Sequence, residues 1–201
     1  MIAIIFLILI FSLTIHEIAH GLVALWLGDD TAKVEGRITL NPIAHFDYSL
    51  SIFLPLLCII FGTPIIGGAK PVPVNPRKIK GGDWGMALVA LAGPMSNLLM
   101  AFGAFAVLSI FNLNAGLLAT SVVYFIRINL GLMLFNLLPI PPLDGSKIIY
   151  PIAPEFIQRF ILRASSNPTI VFFAILIFSS QIANLIGIVQ SWILTVFYSI
   201  F

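Results

Sequence analysis

Met1-Ile2-Ala3-Ile4-Ile5-Phe6-Leu7-Ile8-Leu9-Ile10-Phe11-Ser12-Leu13-Thr14-Ile15-His16-Glu17-Ile18-Ala19-His20 carries sixteen residues without a charge and then sets a carboxylate between two imidazoles while the apolar pattern continues. A helix rises about 1.5 Å per residue and a hydrocarbon core is about 30 Å thick, so the run predicts a transmembrane helix over residues 2 to 27. No basic stretch precedes it and no small-residue cleavage site follows it, so it is read as a retained helix and not as a signal peptide. The rest of the chain has the same character. Of 201 residues, 60% are hydrophobic and 9% charged, against about 25% charged in ordinary soluble domains, and the mean hydropathy is +1.10. The fold class is therefore an all-α polytopic membrane protein. A net charge of +2 provides no field for nucleic acid, which is excluded as a partner. Cys58 stands alone in an apolar run, which excludes an internal disulfide and a cysteine-based metal cluster.

The other uncharged stretches are 48 to 69, 84 to 126, 128 to 143 and 164 to 201. Trp84 to Ile126 is too long for one crossing, and Asn112-Leu113-Asn114-Ala115-Gly116 supplies a turn, which predicts helices near 85 to 111 and 116 to 138. The stretch from Ala164 to the end would be about 57 Å long as a helix. Two helices are expected there, parted at Ser179, Ser180, Gln181 and Asn184, the second either crossing the bilayer or lying along its surface. Nine of the ten basic residues fall into three segments, 33 to 37, 70 to 80 and 147 to 163, and the positive-inside rule puts all three in the cytoplasm. The first helix then runs outside to inside, and 85 to 111 and 116 to 138 form a returning hairpin. Residues 28 to 84 must begin and end on one side. Ser49 to Phe61 is accordingly expected to enter the membrane as a short helix and Thr63 to Ala69 to return as extended backbone. The whole is about five to six transmembrane helices with a short membrane-associated β-hairpin or re-entrant segment. It forms one membrane-embedded domain over 1–201, with a core over about 1–150 and C-terminal helices over about 151–201.

His16 and His20 are spaced i, i+4, which puts both imidazoles on one helix face, able to grip one zinc ion, with Glu17 beside them as general base on a metal-bound water. A carboxylate near the bilayer centre costs about 2.5–3.5 kcal/mol on insertion scales, and a divalent cation offsets that cost. A catalytic zinc takes a third protein ligand. Position 26, where a third histidine could stand, is Trp, and Glu35 lies in a turn-rich polar segment. Asp144 is the stronger candidate. In Phe135-Asn136-Leu137-Leu138-Pro139-Ile140-Pro141-Pro142-Leu143-Asp144-Gly145 the prolines stop a helix and free its carbonyls, so that Asp144 can be aimed sideways from a broken helix end at the depth of the histidines. Asn97 follows a Gly-Pro break, where it can steady a tetrahedral intermediate or simply join helices. Asn136 is expected to orient the loop that bears Asp144. His45, in a polar loop, is left out of the ligand set, and Arg127, alone in a helix, is expected to need an acidic or carbonyl partner within the bundle.

His16-Glu17-Ile18-Ala19-His20, Gly93-Pro94-Met95-Ser96-Asn97 and Asn136 through Asp144-Gly145 resemble, in order, the three signature motifs of the site-two protease family of intramembrane zinc metalloproteases. Gly36-Arg37-Ile38-Thr39-Leu40-Asn41-Pro42 and Ala69-Lys70-Pro71-Val72-Pro73-Val74-Asn75-Pro76 resemble its compact bacterial and archaeal branch. The resemblance implies one zinc ion on His16, His20 and Asp144, catalysis by Glu17, and an Asn97 that contacts substrate or steadies the oxyanion. It implies single-span membrane proteins as substrates. Within these 201 residues no PDZ or CBS domain is expected.

The expected activity is a zinc metalloendopeptidase of the cell membrane that cuts transmembrane segments of other proteins, its active site toward the cytoplasm. A membrane-spanning substrate hides its amides in its own hydrogen bonds, so a strand edge at Gly36 to Asn41 or Gly67 to Pro76 is expected to capture an unwound segment by strand addition. The alternative is a membrane metal-binding or transport protein using His16, His20 and Asp144 as a transit site. Glu17 separates the two, because transport needs no base. The residues leave the oligomeric state and the identity of the substrate open.

Overall fold

The computed structural model describes residues 1–47, 56, 60, 69–166, 175 and 177–200. Four of its helices are long and apolar enough to cross a membrane: α1 (Ile2–Trp26), α3 (Gly82–Ile110), α4 (Gly116–Asn136) and α7 (Ser179–Ile200). Shorter elements are α2 (Thr31–Val34), α5 (Asp144–Ile149), α6 (Glu155–Ser166) and two 3-10 turns, Pro42–His45 and Tyr150–Ile152. Helices α1, α3 and α4 pack against one another as the core, α5 docks on α3, and α7 lies against α4.

The packing is that of a protein dissolved in lipid. On α1 the buried residues are Ser12, Thr14, His16, His20, Gly21 and Ala24, while Phe6, Leu7, Phe11 and Leu22 are exposed. Lipid tails solvate leucine as well as a protein interior does, so helices meet through small residues that let backbones approach and through polar groups that bond across. Ala87, Ala90 and Gly93 serve this role on α3. Farther along, Ala101 and Phe105 of α3, Ile126, Leu130 and Met133 of α4 and Phe197 of α7 form an apolar cluster, in which the rings of Phe102 and Phe197 meet edge to face at 5.2 Å.

The helix boundaries follow the hydropathy pattern to within about three residues. Two expectations need revision. Among the described residues there is no strand, and neither Gly36 to Asn41 nor 69 to 76 forms the expected β-hairpin. Prolines at 71, 73 and 76 remove the donors that a ladder requires, so the two segments are tied by other bonds. Arg37 Nη2 donates to the Lys70 carbonyl at 2.8 Å, His45 Nε2 to the Thr39 carbonyl at 2.9 Å, and the Lys70 N–H to the His45 carbonyl at 2.8 Å. Second, the C-terminal helices expected over about 151–201 begin with α6, a short amphipathic helix and not a crossing, whose charged residues alternate with Phe156, Phe160 and Leu162, all exposed. The re-entrant segment expected over Ser49 to Phe61 and Thr63 to Ala69 lies almost wholly outside the described residues, as does most of the first C-terminal helix. The break expected at Ser179 coincides with the start of α7.

Candidate metal centre

His16 and His20 project from α1 with their rings 4.6 Å apart and nearly perpendicular. Asp144 is the first residue of α5, placed there by a turn into which Gly145 fits closely: a Cβ on Gly145 would collide with the carbonyls of Leu137 and Leu138. Three donor atoms converge. His16 Nε2 and His20 Nε2 are each 3.2 Å from Asp144 Oδ2 and 3.0 Å from each other. Bonds of about 2.0–2.1 Å to zinc in a tetrahedral site give ligand-to-ligand edges of about 3.3 Å, so this triangle fits zinc with one coordination position left open. All three residues are buried.

Each imidazole is held from behind. His20 Nδ1 donates to the Val89 carbonyl at 2.7 Å, in the turn of α3 where Pro94 has no N–H to offer the Ala90 carbonyl. His16 Nδ1 lies 2.6 Å from Asn97 Oδ1. In both rings the outer nitrogen is occupied and Nε2 is turned toward the carboxylate, the arrangement by which neighbouring groups orient metal-binding histidines. Lys147, one turn along α5, approaches the other carboxylate oxygen, with Nζ 3.3 Å from Asp144 Oδ1. Gly93 forms the floor: a Cβ there would stand within 2.5 Å of His16 Nε2 and closer still to His20 Nε2.

Glu17 adjoins the triangle on α1, and its Oε2 accepts the Val72 N–H at 2.7 Å. Asn97 has no exposed surface; its Oδ1 faces His16 and its Nδ2 donates to Asn129 Oδ1 at 2.9 Å, which places the amide behind a ligand and not at an open face. Asn136 donates to the Leu132 carbonyl one turn back in its own helix, at 2.9 Å. His45 stands outside the triangle. Arg127 has its side chain exposed, while its carbonyl accepts from Gln190 Nε2 at 2.6 Å. Sequence reading missed Asn129, Lys147 and Asp29. The i, i+3 spacing of Lys147 from Asp144 was a usable signal; nothing local marked Asn129.

The chain is 41% identical over 177 residues to "Putative zinc metalloprotease YwhC" of Bacillus subtilis (strain 168), a match covering 84% of this chain and 78% of the relative. The chain belongs to the site-two protease family of zinc metalloproteases. It is also 33% identical over 159 residues to "Putative zinc metalloprotease Rip2" of Mycobacterium tuberculosis, covering 76% of this chain and 58% of that protein. A 61-residue match at 44% identity joins it to "Putative zinc metalloprotease MJ0611" of Methanocaldococcus jannaschii, covering 30% of this chain and 31% of the relative. No protein-family profile and no solved structure matches the chain. Within this family the cofactor that the His16, His20 and Asp144 triangle accommodates is Zn2+.

Proposed function

We propose that this chain is an intramembrane zinc endopeptidase that cuts transmembrane segments of other membrane proteins, with its site toward the cytoplasmic side of the cell membrane. The observation that carries the reading is a triangle of zinc-ligand atoms built from a membrane-spanning helix and a proline-broken turn. His16, His20 and Asp144 would hold the ion. Zinc supplies Lewis acidity that brings the pKa of water to about 7.

The remaining work falls to the chain. Glu17 takes the proton of the attacking water at a carboxylate oxygen and delivers it to the leaving amine. In the structure that carboxylate holds the Val72 N–H, so the extended run around Val72 lies against the base and is the natural place for an unwound stretch of substrate. Asn97 acts by holding His16. Asn136 steadies the end of α4, from which the turn to Asp144 departs. The complete fold is read as five to six crossings with a re-entrant segment, and the positive-inside rule assigns the basic segments 33 to 37, 70 to 80 and 147 to 163 to the cytoplasmic side.

The decisive comparison is wild type against Glu17→Gln, both reconstituted in lipid with a single-span substrate. The variant is expected to bind zinc like the wild type and to lose about 10²–10⁴-fold in cleavage rate. Cleavage by Glu17→Gln at the wild-type rate would remove Glu17 as the base, and a zinc-loaded wild type that cuts no substrate would overturn the reading and favour metal transit.

A further inference from the structure

An asparagine beside a histidine can present either end of its amide, and the choice decides which ring nitrogen carries hydrogen. Here the choice is made two residues away. Asn129 Nδ2 lies 2.9 Å from the carbonyl of Phe125, one turn earlier in α4, and 2.9 Å from Ser12 Oγ of α1. A backbone carbonyl can only accept, so the amino end of Asn129 must face it and the carbonyl end must face away. Asn129 Oδ1 then receives Asn97 Nδ2 at 2.9 Å. That fixes the second amide, whose Oδ1 turns to His16 Nδ1 at 2.6 Å. His16 therefore carries its hydrogen on Nδ1 and points the lone pair of Nε2 into the ligand triangle. Ser12, Asn97 and Asn129 have no exposed surface, so no solvent stands ready to replace a partner.

We propose that Asn129 is a positioning residue: through Asn97 it sets the tautomer of His16, and so makes Nε2 a zinc ligand. The proposal rests on the reading that His16 binds zinc. Without an acceptor at position 129, the Asn97 amide is free to turn over and offer its amino end to His16 Nδ1, which selects the tautomer with hydrogen on Nε2 and no lone pair for the metal. A merely structural asparagine joining α3 to α4 would make no such distinction.

The test uses two substitutions of equal shape in the full chain in detergent. The hydroxyl of Asn129→Thr can give its hydrogen to the Phe125 carbonyl and still accept from Asn97, whereas Asn129→Val can do neither. Zinc affinity is read by competition with a chromophoric chelator, and folding by helical circular dichroism. Asn129→Val is expected to bind zinc about 10–100-fold more weakly than wild type, and Asn129→Thr at least about ten-fold more tightly than Asn129→Val. Adding Asn97→Asp to Asn129→Val should restore affinity, because a carboxylate accepts from His16 Nδ1 whichever way it turns. Equal affinities for the Thr and Val variants, or no recovery with Asn97→Asp, would overturn the proposal. A measurement without variants guards against failed folding: in the 15N-histidine spectrum of the zinc-loaded wild type, coordination of His16 through Nδ1 would overturn it as well. Failure of the wild type to bind zinc at all would instead remove the reading underneath.

Discussion

At position 93 a single methyl group competes with a metal ion. The Cβ of Gly93→Ala would fall within 2.5 Å of His16 Nε2, well inside the van der Waals contact of about 3.5–4.0 Å that carbon needs, and its other neighbour is the second ligand nitrogen. Both imidazoles would have to leave the triangle. Gly93→Ala is expected to abolish zinc retention, as measured by metal analysis of the purified protein. Gly103→Ala, on the same helix with nothing within 4 Å of the added atom, should keep its zinc and gain about 0.5–1 kcal/mol of helix stability. At this scale much was legible in the residues themselves. The convergence of His16, His20 and Asp144 was readable because metal chemistry restricts residue type and spacing. The task of Asn97 was not, because an amide takes its meaning from what it faces, and its partners lie 81 and 32 residues away.

Among the elements, the segment through Val72 depends on Asp29, a fully buried carboxylate in the turn after α1. Asp29 Oδ2 accepts the Asn75 N–H at 2.6 Å, and Oδ1 accepts from the Thr31 backbone and hydroxyl. Burial disfavours its charge, but the Thr31 hydroxyl, the N–H groups of Asn75 and Thr31 and the nearby Lys78 outweigh burial and hold the group below the ordinary Asp value of 3.8. The sign follows from that direction. A carboxylate whose pKa is depressed by folding stabilises the fold above its unfolded value, and the contribution is lost as pH falls through its folded value. Asp29→Asn is expected to be less stable by about 1.5–3 kcal/mol at neutral pH, measured by unfolding in detergent with chelator present so that zinc takes no part. The gap should be constant above about pH 5 and close as the pH falls below about 3.8. The spanning helices were legible because a bilayer demands length and apolarity together. The path of 69 to 76 was not: its proline-bearing run suggested an extended edge, whereas Arg37 donates to the Lys70 carbonyl and Asp29 accepts the Asn75 N–H, contacts that leave no periodic mark.

In the molecule as a whole, zinc would join α1 to α5 across a core of three helices. A ligand that binds only the folded state adds about 4 kcal/mol at a thousand-fold excess over its Kd. Removing zinc with a chelator should therefore lower the unfolding temperature of the wild type, and returning the metal should restore it. Asp144→Ala, measured beside it, should show no shift in either direction. Depth brought Asp144 to the histidines, but which helices pack side by side was not legible, since depth alone cannot say which helices are neighbours. The ligands on those two helices stand 128 residues apart in sequence. At about 5–20 residues per second, roughly 6–25 s pass between the synthesis of His16 and that of Asp144. On the proposed ligand set, a nascent chain is thus without a complete metal site until translation has passed Asp144.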